Sequence, residues 1–170
     1  GHGLGAIVAA SFARNYPDRV NRLLLIGLPR NRASINSRLH VESPSGVTAW
    51  LLAQSPDGDA VRKEVPKVDR RAIQLSLASL DGLCPDALLS DLATPSLFVY
   101  GEDDPLIQAF ILDDQVGEIM KSSHQITFCA AGHFPMLDEP RKFNRLIADF
   151  LSLGDGESPR ILQIKDEWKR

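Results

Sequence analysis

Scarcities set the first limits on this chain. Only two of its 170 residues are cysteine, Cys84 and Cys129. Two thiols build no disulfide framework and fit a reducing, cytoplasmic setting. Both are expected to be small buried apolar side chains. No apolar run approaches the roughly 20 residues that a membrane-spanning helix needs; Leu23–Leu28 is among the longest. No excess of positive charge exists either. Lys and Arg number 19 against 22 Asp and Glu, for a net charge of −3, which gives no electrostatic case for nucleic acid or an anionic membrane. Secretory signal patterns, internal repeats and low-complexity tracts are also missing from the sequence. What is present is ordinary for a globular protein: 44% hydrophobic and 24% charged residues, in a chain long enough for one sizeable core.

The pattern along the chain alternates between helix and buried strand. Leu4–Asn15 carries Ile7, Val8 and Phe12 among small Ala6, Ala9, Ala10 and Ala13, which are expected to form a buried face that lets the helix sit close to a sheet. Pro17 stops it. Val20–Gly27 contains Leu23-Leu24-Leu25-Ile26, an unalternating apolar run suited to a parallel strand covered on both faces. Further strands are expected near 96–101 and 125–130, with helices over Ile107–Met120 and Pro135–Phe150. Helix followed by buried strand, repeated, predicts α/β layering. Between Pro29 and Asp91 strands vanish, and helices are expected at Gly46–Gln54, Asp59–Val65 and Asp69–Leu80. There Trp50, Leu51, Leu52 and Leu75 are expected to pack onto neighbouring helices, and Arg62-Lys63 and Arg70-Arg71 to be solvated.

Three short segments carry the chemistry. Gly1-His2-Gly3-Leu4-Gly5 precedes the first helix; Leu97-Phe98-Val99-Tyr100-Gly101-Glu102-Asp103-Asp104-Pro105 runs from a strand into acidic residues; Ile126-Thr127-Phe128-Cys129-Ala130-Ala131-Gly132-His133-Phe134-Pro135 runs from a strand into a Gly-His. The first resembles the G-x-S-x-G nucleophile motif of the α/β-hydrolase fold family, with Gly3 where the serine stands. The order elbow, acid, histidine is the family's order. The resemblance covers most of the chain outside roughly 30–90.

It implies an α/β fold with the last three parallel strands of a hydrolase sheet, their flanking helices and a helical cap. The core is expected at 1–29 and 92–153, the cap at 30–91 and a tail at 154–170. The motif needs a strand before it, so the chain is expected to be the portion of such a fold from the elbow onward. A strand edge left bare on that side invites self-association. The resemblance further implies His133 as base, Asp104 as the acid that orients it, and the Leu4 amide as half of an oxyanion hole with His2 beside it. Asp103 rivals Asp104 for the acid position. Glycine keeps the strained elbow but carries no nucleophile. The expected function is an esterase-like hydrolase for a small ester or acyl substrate, inactive or strongly impaired at Gly3; the alternative is a non-catalytic ligand-binding protein on the same fold. No cofactor or metal is expected, because three consecutive acidic residues cannot all face one ion. Gly1-His2-Gly3-Leu4-Gly5-Ala6 also fits the G-x-G-x-x-A turn of dinucleotide-binding domains, but the next strand ends Ile26-Gly27-Leu28-Pro29 with no acid for a ribose.

Overall fold

Three short runs, two of them largely apolar, form the sheet of the computed structural model, which describes residues 1–53, 55, 57–82, 85–90, 92–109 and 122–165. β1 (Leu23–Ile26), β2 (Ser96–Gly101) and β3 (Ser123–Phe128) lie in that order with both pairings parallel. Leu23 faces Ser96 and Ile26 faces Val99; Ser96 in turn faces Ser123, and Gly101 faces Phe128. The central β2 is buried along its whole length. Its alternation sorts the core into two layers. Phe98 and Tyr100 pack with Leu23 and Leu25, whereas Leu97 and Val99 pack with Ile26, Ile126 and Phe128.

Helix α1 (Leu4–Asn15) covers the first face. Ala6, Ala10 and Ala13 are at most 1% exposed; their lack of bulk brings the helix close to the strands. It stops because Pro17 disfavours helical geometry at Tyr16, which adopts φ −135°. Val8 and Phe12, expected on the buried face of α1, are exposed instead: the sheet side is taken by Ala6, Ile7, Ala10 and Ala13.

Between β1 and β2 the described chain is helical: α2 (Arg38–Val41), α3 (Pro44–Leu51), α4 (Asp59–Glu64), α5 (Arg70–Ala78) and α6 (Pro85–Ser90). Ser43 and Asp69 cap α3 and α5 by accepting from the amides of Gly46 and Arg71. Leu77, Leu80, Leu88 and Leu89 join the core layer under α1, with Trp50 packed against it and Arg38 stacked over the Trp50 ring at 4.8 Å. Two expectations fail here. Leu75 is exposed rather than packed. Arg62 is not simply solvated, since it donates to the carbonyls of Leu52 and Ser55 at 3.0 and 3.2 Å.

The second face is covered by the C-terminal helices α7 (Pro135–Asp138) and α8 (Pro140–Leu151). A single helix is expected from the sequence, but Pro140 holds Glu139 at φ −130°, ψ 57° and breaks it. Phe143, Leu146 and Phe150 recur at helical spacing and seal the layer, with Leu162 of the tail beside them.

The strands start and end differently from the sequence pattern. β1 begins at Leu23, beyond a short 3-10 turn at Pro17–Arg19. β3 covers Ser123–Phe128, which leaves Cys129 past its end and exposed, contrary to the buried reading. Ile107 is not helical; it forms an antiparallel bridge with Ile35. The rest of the helix expected there, from residue 110 on, lies outside the described residues, as do Gln54, Cys84 and the chain end from 166. Among the described residues no helix is long and apolar enough to cross a membrane.

Candidate functional site

Parallel strands send their following loops to one end of the sheet, where ligands of open α/β folds bind. Three such loops meet here. At the first, Gly1 and His2 lie alongside β1, with Ile26 N–H donating to the Gly1 carbonyl and Gly3 N–H to the Ile26 carbonyl, both at 2.9 Å. The chain then turns sharply into α1 through Gly3 at φ 55°, ψ −121°. Glycine adopts that conformation without the cost a β-carbon brings. Leu4 is the first helical residue, so its N–H has no intrahelical partner.

The second loop follows β2. Asp104 Oδ1 accepts from the amides of Leu106 and Ile107 at 2.8 and 3.0 Å, and Oδ2 lies 2.9 Å from His133 Nδ1. Those two turn amides fix the carboxylate and separate it from Asp103, which is exposed. The Asp104 and His133 side chains are 2% and 6% exposed.

The third loop carries His133. With Nδ1 donating to the carboxylate, Nε2 is the ring's acceptor. It points at the elbow: a β-carbon built on Gly3 would have His133 Nε2 as its one non-adjacent neighbour within 4 Å, at 3.9 Å. The loop is held from both sides. Asp103 N–H donates to the Ala131 carbonyl at 3.0 Å, and Gly132 N–H donates to Asp138 Oδ2 at 2.8 Å. The other oxygen of Asp138 accepts from the hydroxyl of the buried Ser55, which ties the histidine loop to the helical segment. The Ser55 contact is not legible from local pattern, since Ser55 and Asp138 are 83 positions apart.

His2 sits beneath His133. Its Nε2–H donates to the His133 carbonyl at 2.8 Å, and the two rings are 4.5 Å apart. Phe134 stands against both rings. Burial first, and the neighbouring His133 second, push the His2 imidazole down from 6.5 to about 4. An unfolded chain protonates His2 near 6.5 while the folded chain holds it neutral. Stability is therefore full above that pH and falls as pH drops toward 4, by about 3 kcal/mol from this group. Burial lowers His124 too, so the informative quantity is a difference. Denaturant midpoints from pH 7 to 4 should fall steeply for the parent and less steeply for His2→Gln, which retains an N–H donor; parallel slopes would contradict the assignment.

Gly3, Leu4 and His133 line a cavity of about 310 Å³ together with Ala72, Ile73, Ser76 and Leu77 of α5. A larger groove, about 1030 Å³, lies at the opposite end of the strands between Arg19–Arg22 and Gly154–Pro159, away from these residues. The structure thus brings Gly3, Leu4, His2, Asp104 and His133 together at one end of the sheet.

Comparison with known proteins points the same way. A family profile described as Alpha/beta hydrolase family matches residues 1–146. The biotin biosynthesis bifunctional protein BioHC of Teredinibacter turnerae is 24% identical over 199 residues, covering 97% of this chain and 34% of that protein. A pimeloyl-[acyl-carrier protein] methyl ester esterase of Photobacterium profundum is 26% identical, covering 89% of this chain and 68% of that protein. Among solved structures, an E-2-(acetamidomethylene)succinate hydrolase superposes with TM-score 0.69 at 20% identity, covering 90% of this chain and 65% of that one. A hydrolase from Pseudomonas aeruginosa gives TM-score 0.68 at 22% identity, covering 90% of this chain and 63% of that one. The chain therefore spans about a third of the bifunctional relative and just under two thirds of these solved hydrolases.

Proposed function

We propose that this chain, which belongs to the alpha/beta hydrolase family, carries an esterase-like site for a small ester or acyl compound from which Gly3 has removed the covalent step. The observation that carries the reading is His133 Nε2, backed by Asp104 at 2.9 Å and aimed at the place a β-carbon of residue 3 would occupy. A histidine fixed in this way is a general base with nothing on the protein to deprotonate. One relative is by name a methyl ester esterase, and an ester is the class of bond such a site attacks.

Each residue then has a role. His133 takes a proton from water, whose oxygen adds to the ester carbonyl, and returns that proton to the departing alcohol. Asp104 keeps the imidazole in the acceptor tautomer toward Gly3 and stabilises its charged form. The Leu4 amide donates to the developing oxyanion. Residues 30–91 act as the cap, a reading supported by Ile73 and Leu77 of α5 facing the cavity. Water is a poorer nucleophile than a positioned alkoxide, and loss of a triad member costs several powers of ten in rate. Turnover should therefore be slow.

Hydrolysis of 4-nitrophenyl esters tests this. The chain should turn over slowly, without a burst, and His133→Ala should lose most of that rate, keeping only what the Leu4 amide and binding supply. A burst, or a rate indifferent to His133→Ala, would contradict the assignment. A second reading, ligand binding without chemistry, is favoured by Gly3 itself; it predicts saturable binding of an ester with no turnover above background.

A further inference from the structure

The cavity beside Gly3 narrows the class of compound the site accepts, an inference that rests on the esterase-like reading above. We propose that it holds an uncharged aliphatic acyl chain of about six to eight carbons and rejects one ending in a carboxylate.

Chemistry of the wall comes first. Thirteen described residues line the cavity, none charged and none Phe, Tyr or Trp. Eight of the thirteen are Leu or Ile, among them Ile35, Ile73, Leu77, Leu80, Leu106 and Ile107, and the polar side chains are Ser76 and His133. A wall of branched aliphatic side chains offers dispersion contact and release of water, with no stacking surface and no cation. An ionised group carried to the far end would lose its hydration against nothing that repays it.

Size comes second. The volume is about 310 Å³. At about 30 Å³ for a water-sized group, that space holds on the order of ten heavy atoms. Chains do not fill irregular space completely, which leaves room for a carbonyl and a medium-length tail.

Orientation comes third. Gly3, Leu4 and His133 share one lining with Ala72, Ile73, Ser76 and Leu77 of α5. A carbonyl placed between Leu4 N–H and His133 Nε2 has this α5 face beside it for its acyl chain, at Ile73 and Leu77. These two residues, one helical turn apart on α5, are the specificity-determining positions of the site.

Straight-chain methyl esters from two to ten carbons, titrated into the chain and followed by calorimetry, test the idea. Affinity should rise about fourfold per methylene and level off near six to eight carbons. Monomethyl esters of dicarboxylic acids of the same length should bind at least about 100-fold more weakly. Ala72→Phe, which adds bulk to the lining without removing core, should move the plateau to shorter chains. Ser76→Arg should restore binding of the carboxylate-ended esters. A flat chain-length profile, equal binding of charged and neutral chains, or a plateau unmoved by Ala72→Phe would overturn the proposal. The two readings separate cleanly. The length ladder without His133-dependent turnover upholds the acyl cavity and removes the hydrolytic reading. His133-dependent turnover without the ladder does the reverse.

Discussion

Gly3→Ser should raise ester hydrolysis by at least about 10³-fold, because removing the nucleophile of such a constellation costs up to about 10⁶ in kcat. The geometry needed for the gain is already assembled. A β-carbon on residue 3 meets nothing closer than His133 Nε2 at 3.9 Å, so a hydroxyl on it comes within hydrogen-bond reach of that nitrogen. The backbone at φ 55° is unfavourable for any side chain, at a cost of about 1–3 kcal/mol. The variant should thus be less stable than the parent and far more active. Adding Asp104→Asn to Gly3→Ser should cost up to about 10⁴ in kcat, enough to cancel a gain of about 10³-fold, since the imidazole then loses its orienting acceptor. A Gly3→Ser variant that folds with no increase in turnover would mean that the elbow and the base are not aligned as described.

The largest loss of stability is expected at Gly101, where β2 ends. A β-carbon there would sit 2.1 Å from the Gly132 carbonyl oxygen and 2.3 Å from that of Ala131. Both are backbone atoms of the histidine loop, so no rotamer change relieves the overlap. The seam between the two loops is closed by Glu102 N–H to the Phe128 carbonyl at 2.9 Å and Asp103 N–H to the Ala131 carbonyl at 3.0 Å. Gly101→Ala must open that seam, at a cost of about 3 kcal/mol or more. His133 moves with its loop. Placed on the Gly3→Ser background, Gly101→Ala should therefore abolish the gained activity even under conditions where the protein stays folded. An unchanged denaturant midpoint would show that the loops tolerate the extra carbon and that their close approach is not structural.

Much of this architecture is legible in the sequence because its signals are local. The run Leu23-Leu24-Leu25-Ile26, the fully buried β2 and the alanine face of α1 each announce themselves within a dozen residues. The elbow, acid turn and Gly-His each follow a readable break in a pattern. Where neighbours are chemically alike, local reading stops. Asp103 and Asp104 are indistinguishable until the amides of Leu106 and Ile107 select one of them. Cys129 looks like a buried thiol until the strand ends one residue before it. The helix break at Pro140 is local and could have been read from the proline alone. The hold of Asp138 on Ser55, and of His2 on the His133 carbonyl, depends on chain segments far apart in sequence. The apolar cavity likewise exists only once α5 is laid over the elbow.

The alignment of residue 3 with His133 is the central claim, and covalent labelling measures it most directly. The parent, Gly3→Ser and the Gly3→Ser/His133→Ala double variant would each be treated with a fluorophosphonate and the adduct mapped by mass spectrometry. The account predicts one stoichiometric adduct, at residue 3 of Gly3→Ser, none on the parent and very slow labelling of the double variant. No adduct on a folded Gly3→Ser, or labelling at residue 3 that proceeds equally well without His133, would contradict it.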